Sequence, residues 1–187
     1  MADPTYSAAV ADLLGEPRLA PLGPGTPNLG ARPRLEALTV ETAFAPQTLI
    51  DHDMGAACLA GLWLYHDFLD ESHRLSQDID TPEGSYWHGL MHRREPDYTN
   101  AKYWFRRVGA HPVFPTVHAA AGELAAAEPA PVAGFLAGRA AWDPFAFIDL
   151  CEASLGGRVP CVMLCRRIQQ REWEVLFDHC YRRAIGG

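Results

Sequence analysis

The tightest constraint on this chain is where its prolines fall. Pro17, Pro21, Pro24, Pro27 and Pro33 occupy the stretch from Glu16 to Arg34, with Gly23, Gly25 and Gly30 among them. Proline lacks an amide proton and its ring clashes with the preceding helical turn, so this stretch reads as an extended arm laid over a domain. Ahead of it, Ala8, Ala9, Val10, Leu13 and Leu14 supply the apolar side of a short helix over residues 6–14 that ends near Gly15.

Helix signals strengthen after Pro46. From Met54 to about Gln77, Leu59, Leu62, Trp63 and Leu69 lie along one helical face, which predicts a first long helix. Thr81-Pro82-Glu83 has the form of an N-cap, a first-turn proline and a first-turn acid, opening a second helix that runs to about Glu95 before Pro96. Asp97-Tyr98-Thr99-Asn100 supplies caps for a third, carrying Ala101, Tyr103, Trp104, Phe105 and Val108 and stopping at Gly109. A connection this short forces an antiparallel helical hairpin. Further helices are expected over 116–127, 142–153 and 162–183, with a break at Pro129-Ala130-Pro131. Convincing strand alternation appears nowhere. The expected fold is all-α, a single compact helical domain of about six to eight helices with a Pro/Gly-rich N-terminal arm. Residues 1–45 form the first helix and arm, and 46–187 the helical domain.

With 187 residues the chain can bury one sizeable core. Sixteen Lys and Arg against 23 Asp and Glu give a formal charge of −7, which opposes a surface built for nucleic acid or anionic membrane. The start, Met1-Ala2-Asp3-Pro4-Thr5, lacks the basic and apolar regions of a secretory signal. The uncharged run from Met54 to Tyr65 is shorter than the roughly 20 residues a membrane-spanning helix needs. Cys58, Cys151, Cys161, Cys165 and Cys180 are odd in number and irregularly spaced, and no second pair beside Cys161 and Cys165 completes a zinc-finger pattern. Reduced thiols and a cytoplasmic location are the expectation.

The segment from Glu95 through Pro96, Asp97, Tyr98, Asn100, Ala101 and Trp104 to Phe105 resembles the turn and second helix of a tetratricopeptide-like hairpin, and the likeness covers residues 85–109. Tandem copies are absent, so the resemblance implies no solenoid. Ser85-Tyr86-Trp87-His88-Gly89-Leu90-Met91-His92-Arg93-Arg94-Glu95 with this hairpin resembles an uncharacterised bacterial family, and that resemblance implies no activity.

Two helical faces carry the residue types chemistry needs. His66, Asp70 and His73 fall at offsets of four and three, so on one helix they share a face, with Asp70 placed to hold an imidazole in one tautomer. His88, His92 and Glu95 repeat the spacing, and two histidines at i and i+4 can bind one metal ion with a carboxylate one turn on as ligand or base. The second face lacks the Glu immediately after the first His that marks zinc-protease helices, and the chain lacks the paired Glu-x-x-His of di-metal carboxylate bundles. The leading reading is a small helical enzyme using a divalent metal held by His73, His88 and His92, with His66, Asp70 and Glu95 as acid-base groups. Arg93, Arg94 and Arg106 would hold a small anionic substrate, with Trp87 and Tyr103 stacked on it.

The competing reading makes these residues ordinary boundary and core positions. The hairpin then presents Trp87, Tyr103 or Trp104 with its arginines to a protein partner, as a non-catalytic interaction module. Glu172 interrupts an apolar stripe on the last helix, with Cys165, Ile168 and Leu176 around it, and calls for an arginine partner such as Arg93, Arg94 or Arg106. His52, Asp53 and His111 read as structural. No nucleophile elbow, phosphate-binding loop or dinucleotide fingerprint is present.

Overall fold

The computed structural model describes residues 6–128 and 139–187, and among these the regular structure is helical, with nine helices and no strand. The helices are α1 (Ala8–Leu14), α2 (Arg32–Glu36), α3 (His52–Tyr65), α4 (Leu69–Gln77), α5 (Pro82–Arg94), α6 (Tyr98–Val108), α7 (Phe114–Ala126), α8 (Pro144–Leu155) and α9 (Val162–Ala184). The Pro129-Ala130-Pro131 break lies outside the described residues. Among the described residues no helix is long and apolar enough to cross a membrane.

Caps set the starts. Asp51, Thr81, Asp97 and Asp143 each accept the backbone N–H of the residue three positions on, opening α3, α5, α6 and α8. Such a bond satisfies one of the amides that a first turn leaves without a carbonyl partner. Pro33, Pro82, Pro115 and Pro144 sit in first turns, where a missing N–H costs nothing. Pro33 therefore begins a short helix at the end of the proline-rich stretch.

From Met54 to Tyr65, α3 is buried at every position except the half-buried Ala56 and Trp63. A helix apolar all round has to be covered all round, and α4, α5 and α9 pack against it. Glycine allows the closest approach: a Cβ on Gly61 would stand 2.8 Å from the Trp87 ring of α5. On α9, Trp173 donates its indole N–H to the Gly61 carbonyl at 3.0 Å. One hydrophobic cluster links side chains from Val10 of α1 to Ala184 at the end of α9.

The expected long helix over 54–77 is in fact two. α3 stops at Tyr65, Asp67 takes a left-handed conformation at φ 63°, and the chain resumes as α4 in a new direction. Aspartate is among the few residues that tolerate this region, and no glycine or proline marked the corner. The Asp67 carboxylate, almost wholly buried, accepts Arg18 Nη2 at 2.8 Å and Arg94 Nη2 at 2.5 Å. Arg94 also donates to the carbonyls of Gly23 and Pro24.

Residues 15–31 run without regular helix between α1 and α2, and side chains from the helices take up their carbonyl oxygens. Tyr65 donates to Glu16 O, Arg166 to the carbonyls of Leu19 and Ala20, and Gln169 to Pro21 O. A proline-rich segment offers acceptors but few donors, so it docks on donor side chains. Glu172 finds its arginine in Arg93, whose Nη2 lies 2.6 Å from Oε2, while Tyr86 donates to Oε1 at 2.9 Å.

Removing the shared carboxylate should unsettle the corner. Asp67→Ala leaves the buried Arg94 without its counter-charge, and breaking such a pair from one side costs about 3–5 kcal/mol. Asp67→Asn loses the same charge but keeps a side chain that tolerates positive φ, so it should be milder by about 1 kcal/mol. Urea unfolding of the three proteins measures both, and a loss under about 1 kcal/mol for Asp67→Ala contradicts the assignment.

Candidate metal centre

The corner at Asp67 sends α4 alongside α5, and this brings three imidazoles together. His73 of α4 and His88 and His92 of α5 each offer a ring nitrogen, and the three atoms all lie within 4.8 Å of one another. The ring centroids stand 4.4 Å apart for His73 and His88, 5.3 Å for His73 and His92, and 4.7 Å for His88 and His92. His88 and His92 are buried, whereas His73 is half-buried and lines a shallow surface depression with Asp70, Arg74 and Glu95.

α6 closes the other side. A Cβ on Gly89 would stand 2.8 Å from the Phe105 ring, so the glycine lets α6 settle closely onto α5. That approach lays Trp104 on His88 at 4.0 Å between ring centroids, with the Arg107 guanidinium 5.3 Å from the indole. Asn100, one turn earlier on α6, lies over the His92 ring with its Nδ2 3.0 Å from Nε2 and 3.5 Å from Nδ1. At the C-terminal end of α5 the Glu95 carboxylate meets His92 Nδ1 at 3.0 Å, and from α4 the Ser76 hydroxyl meets His88 Nδ1 at 2.9 Å.

Burial pushes the His88 imidazole down to about 3, and the neighbouring His92 and His73 rings lower it further. Burial lowers His92 as well, although Glu95 pulls the other way. At neutral pH the two buried rings are therefore uncharged, the state in which imidazole coordinates metal.

His66 lies apart from this group. It caps the end of α3, with Nε2 3.0 Å from the Leu13 carbonyl and Nδ1 3.1 Å from Asn28 Nδ2. A carbonyl only accepts and an amide NH2 only donates, so the ring is a neutral Nε2–H tautomer joining α1 to the segment before α2. The four- and three-residue offsets of His66, Asp70 and His73 fail to give a shared face because the helix turns between them. Arg93 and Arg94 are buried in their pairs with Glu172 and Asp67. Trp87 is in the core beside Trp173, Tyr103 is half exposed on α6, and Arg106 is exposed on the same helix. Burial of Trp87 leaves no contiguous surface of Trp87, Tyr103 and Trp104.

Comparison with protein-family models, curated proteins and solved structures returns no match. The reading of the site rests on its own geometry.

A second convergence, Glu83 with His111 and His179, has different chemistry. The buried Glu83 Oε1 receives Arg183 Nη1 at 2.9 Å and His179 Nε2 at 3.0 Å, with His111 Nε2 at 3.8 Å. Burial would raise the Glu83 carboxyl, but the neighbouring His111 and His179 imidazoles outweigh that and hold it well below the usual range. The Val113 amide donates to His111 Nδ1 at 3.4 Å, which puts the ring proton on Nε2, facing the carboxylate. A guanidinium and an imidazole N–H already occupy the lone pairs a cation would use, so this group is a caged carboxylate joining α5 to α9.

Sequence reasoning missed Ser76, Arg74 and Asn100. Ser76 and Arg74 flank His73 on its own helix and carried a signal only once α4 was known to face α5. Asn100 was visible only as a cap, and Trp104, read as an aromatic of the hairpin's surface, lies instead on His88.

The His66 ring has a pH consequence. Burial lowers its pKa, with Arg18 adding to the effect, so the folded protein keeps it neutral where an unfolded histidine, at about 6.5, takes up a proton. A lowered folded value means stability present above about pH 6.5 and lost as pH falls below it. Urea midpoints of chelator-treated protein should drop between about pH 6.5 and 4, with a shallower slope in His66→Gln. Equal slopes in the two proteins would refute the neutral-tautomer role.

Proposed function

We propose that this chain binds one divalent metal ion through His73, His88 and His92 and uses it as a Lewis acid on a small anionic substrate. The observation that carries the reading is the meeting of three imidazole nitrogens, two on rings kept neutral by burial, beside a depression that reaches the surface at His73. Nitrogen donors of this kind suit zinc and its first-row neighbours over magnesium or calcium. Three protein ligands leave one position for water or substrate, as in catalytic rather than structural zinc sites. Bound there, the ion would supply a water whose pKa is lowered to about 7 and a polarising charge.

The chain's own groups take the remaining roles. Glu95 orients His92 by accepting from Nδ1, the carboxylate–histidine arrangement that raises ligand basicity. Asp70 lines the depression as the proton acceptor. Arg74, in the same depression and mostly exposed, is the cation placed to meet a substrate anion, in place of the paired Arg93 and Arg94. Arg106 and Tyr103 lie on α6 outside this lining and are left as peripheral contacts.

Protein purified without an affinity tag and stripped with chelator should take up one zinc or cobalt ion per chain. Zinc at about a hundredfold excess over its Kd should stabilise the fold by about 2.7 kcal/mol. His88→Ala and His92→Ala should each abolish uptake and the thermal shift, while His66→Ala should leave uptake intact. An unshifted melting curve with zinc, cobalt, nickel and manganese in the parent protein would remove the proposal.

A further inference from the structure

The hydrogen bonds around the two buried imidazoles decide where their protons sit. Glu95 is a carboxylate and only accepts, so His92 Nδ1, 3.0 Å from its Oε2, carries the ring proton and Nε2 is a bare lone pair. For His88 the deciding group is Ser76. Its hydroxyl lies 3.3 Å from the backbone carbonyl of His73, which can only accept, and 2.9 Å from His88 Nδ1. A hydroxyl has one proton to give. Given to the carbonyl, it leaves Oγ to accept Nδ1–H, and every hydrogen is used. Given to Nδ1, it leaves the carbonyl without that bond and puts a proton on Nε2, which meets no hydrogen-bond acceptor among the described residues. Ser76 and His88 are both buried, so the unsatisfied arrangement carries the larger penalty.

Building on the metal reading above, we infer that Ser76 and Glu95 are positioning residues that lock His88 and His92 as Nδ1–H tautomers, so that each ring keeps Nε2 as the bare lone pair for a shared cation. A neutral imidazole in this state gives up no proton on binding. Loss of either lock lets the ring populate the tautomer whose Nε2 is protonated, and binding weakens.

The test has two independent readouts. In chelator-treated protein labelled at the imidazole nitrogens, ¹⁵N shifts should report protonated Nδ1 and unprotonated Nε2 for both His88 and His92, and Ser76→Ala should mix the His88 tautomers. In competition titrations with zinc alone, Ser76→Ala and Glu95→Gln should weaken binding about 10–100-fold, the range for removing an outer-shell partner. Ser76→Thr should restore it. A protonated Nε2 on His88 in the metal-free parent overturns the inference even if zinc binds. Unchanged affinity in Ser76→Ala overturns it too. Correct tautomers in a protein that takes up no ion defeat the metal reading and leave the assigned proton positions standing, so the two failures are distinguishable.

Discussion

The carboxylate of Asp67 is the point on which the arrangement turns. It occupies a backbone conformation few residues tolerate, and it does so between the buried guanidinium of Arg94 and the partly exposed one of Arg18. Taking Asp67 and Arg94 out of water offsets most of what their attraction returns, so this cluster adds little to net stability. Its effect is geometric. Arg94 fixes the end of α5, Arg18 fixes the proline-rich segment, and the corner that both hold sets the direction of α4. His73 and Ser76 meet His88 because of that direction. A continuous helix through residue 67 would have carried them away along the axis of α3.

A second consequence follows for α5. Every residue from Glu83 to Arg94 is buried, yet half of that helix is polar or charged. A helix of this composition folds only if each polar group finds a partner on a different neighbour. Glu83 is met by α9, His88 by α4, Arg93 by Glu172 of α9, and Arg94 by the corner. Each contact removes a desolvation penalty and also fixes the rotation of α5 about its own axis. The imidazole face then has no freedom to turn toward solvent. Unpaired polar groups in a low-dielectric interior cost more than any one of these bonds contributes, so the network is cooperative by elimination.

Much of this was legible in the residues. The caps at Thr81 and Asp97, the hairpin of α5 and α6 and the sharing of a face by His88 and His92 all follow from local spacing, and the apolar stripe around Glu172 called for an arginine without saying which of Arg93, Arg94 and Arg106 it was. The corner at Asp67 was not legible, because aspartate adopts positive φ only where its side chain has partners worth the strain, and those partners, Arg18 and Arg94, are distant in sequence. The error propagated: with one helix assumed, His66 joined His73 on a face that does not exist. Arg93 and Arg94 looked like substrate contacts because a local excess of positive charge does not say which arginine a carboxylate from α9 or from the corner takes. Glu83, His111 and His179 come from three separate segments, and no spacing rule unites them.

The electrostatics of the site order events that geometry alone leaves open. At neutral pH the buried imidazoles contribute no charge, and the mouth carries Asp70 and Glu95 against a single Arg74 whose guanidinium lies 3.8 Å from Glu71. The local field is negative and attracts cations, in keeping with the formal charge of −7. An anion approaching the metal-free depression meets that field with one partly neutralised arginine to oppose it. On the proposed reading a divalent ion among the imidazoles would invert the sign, since its two positive charges together with Arg74 outweigh the two carboxylates. Binding of an anionic substrate would then be conditional on the ion, and the acidic mouth that opposes the substrate beforehand would be what gathers the ion.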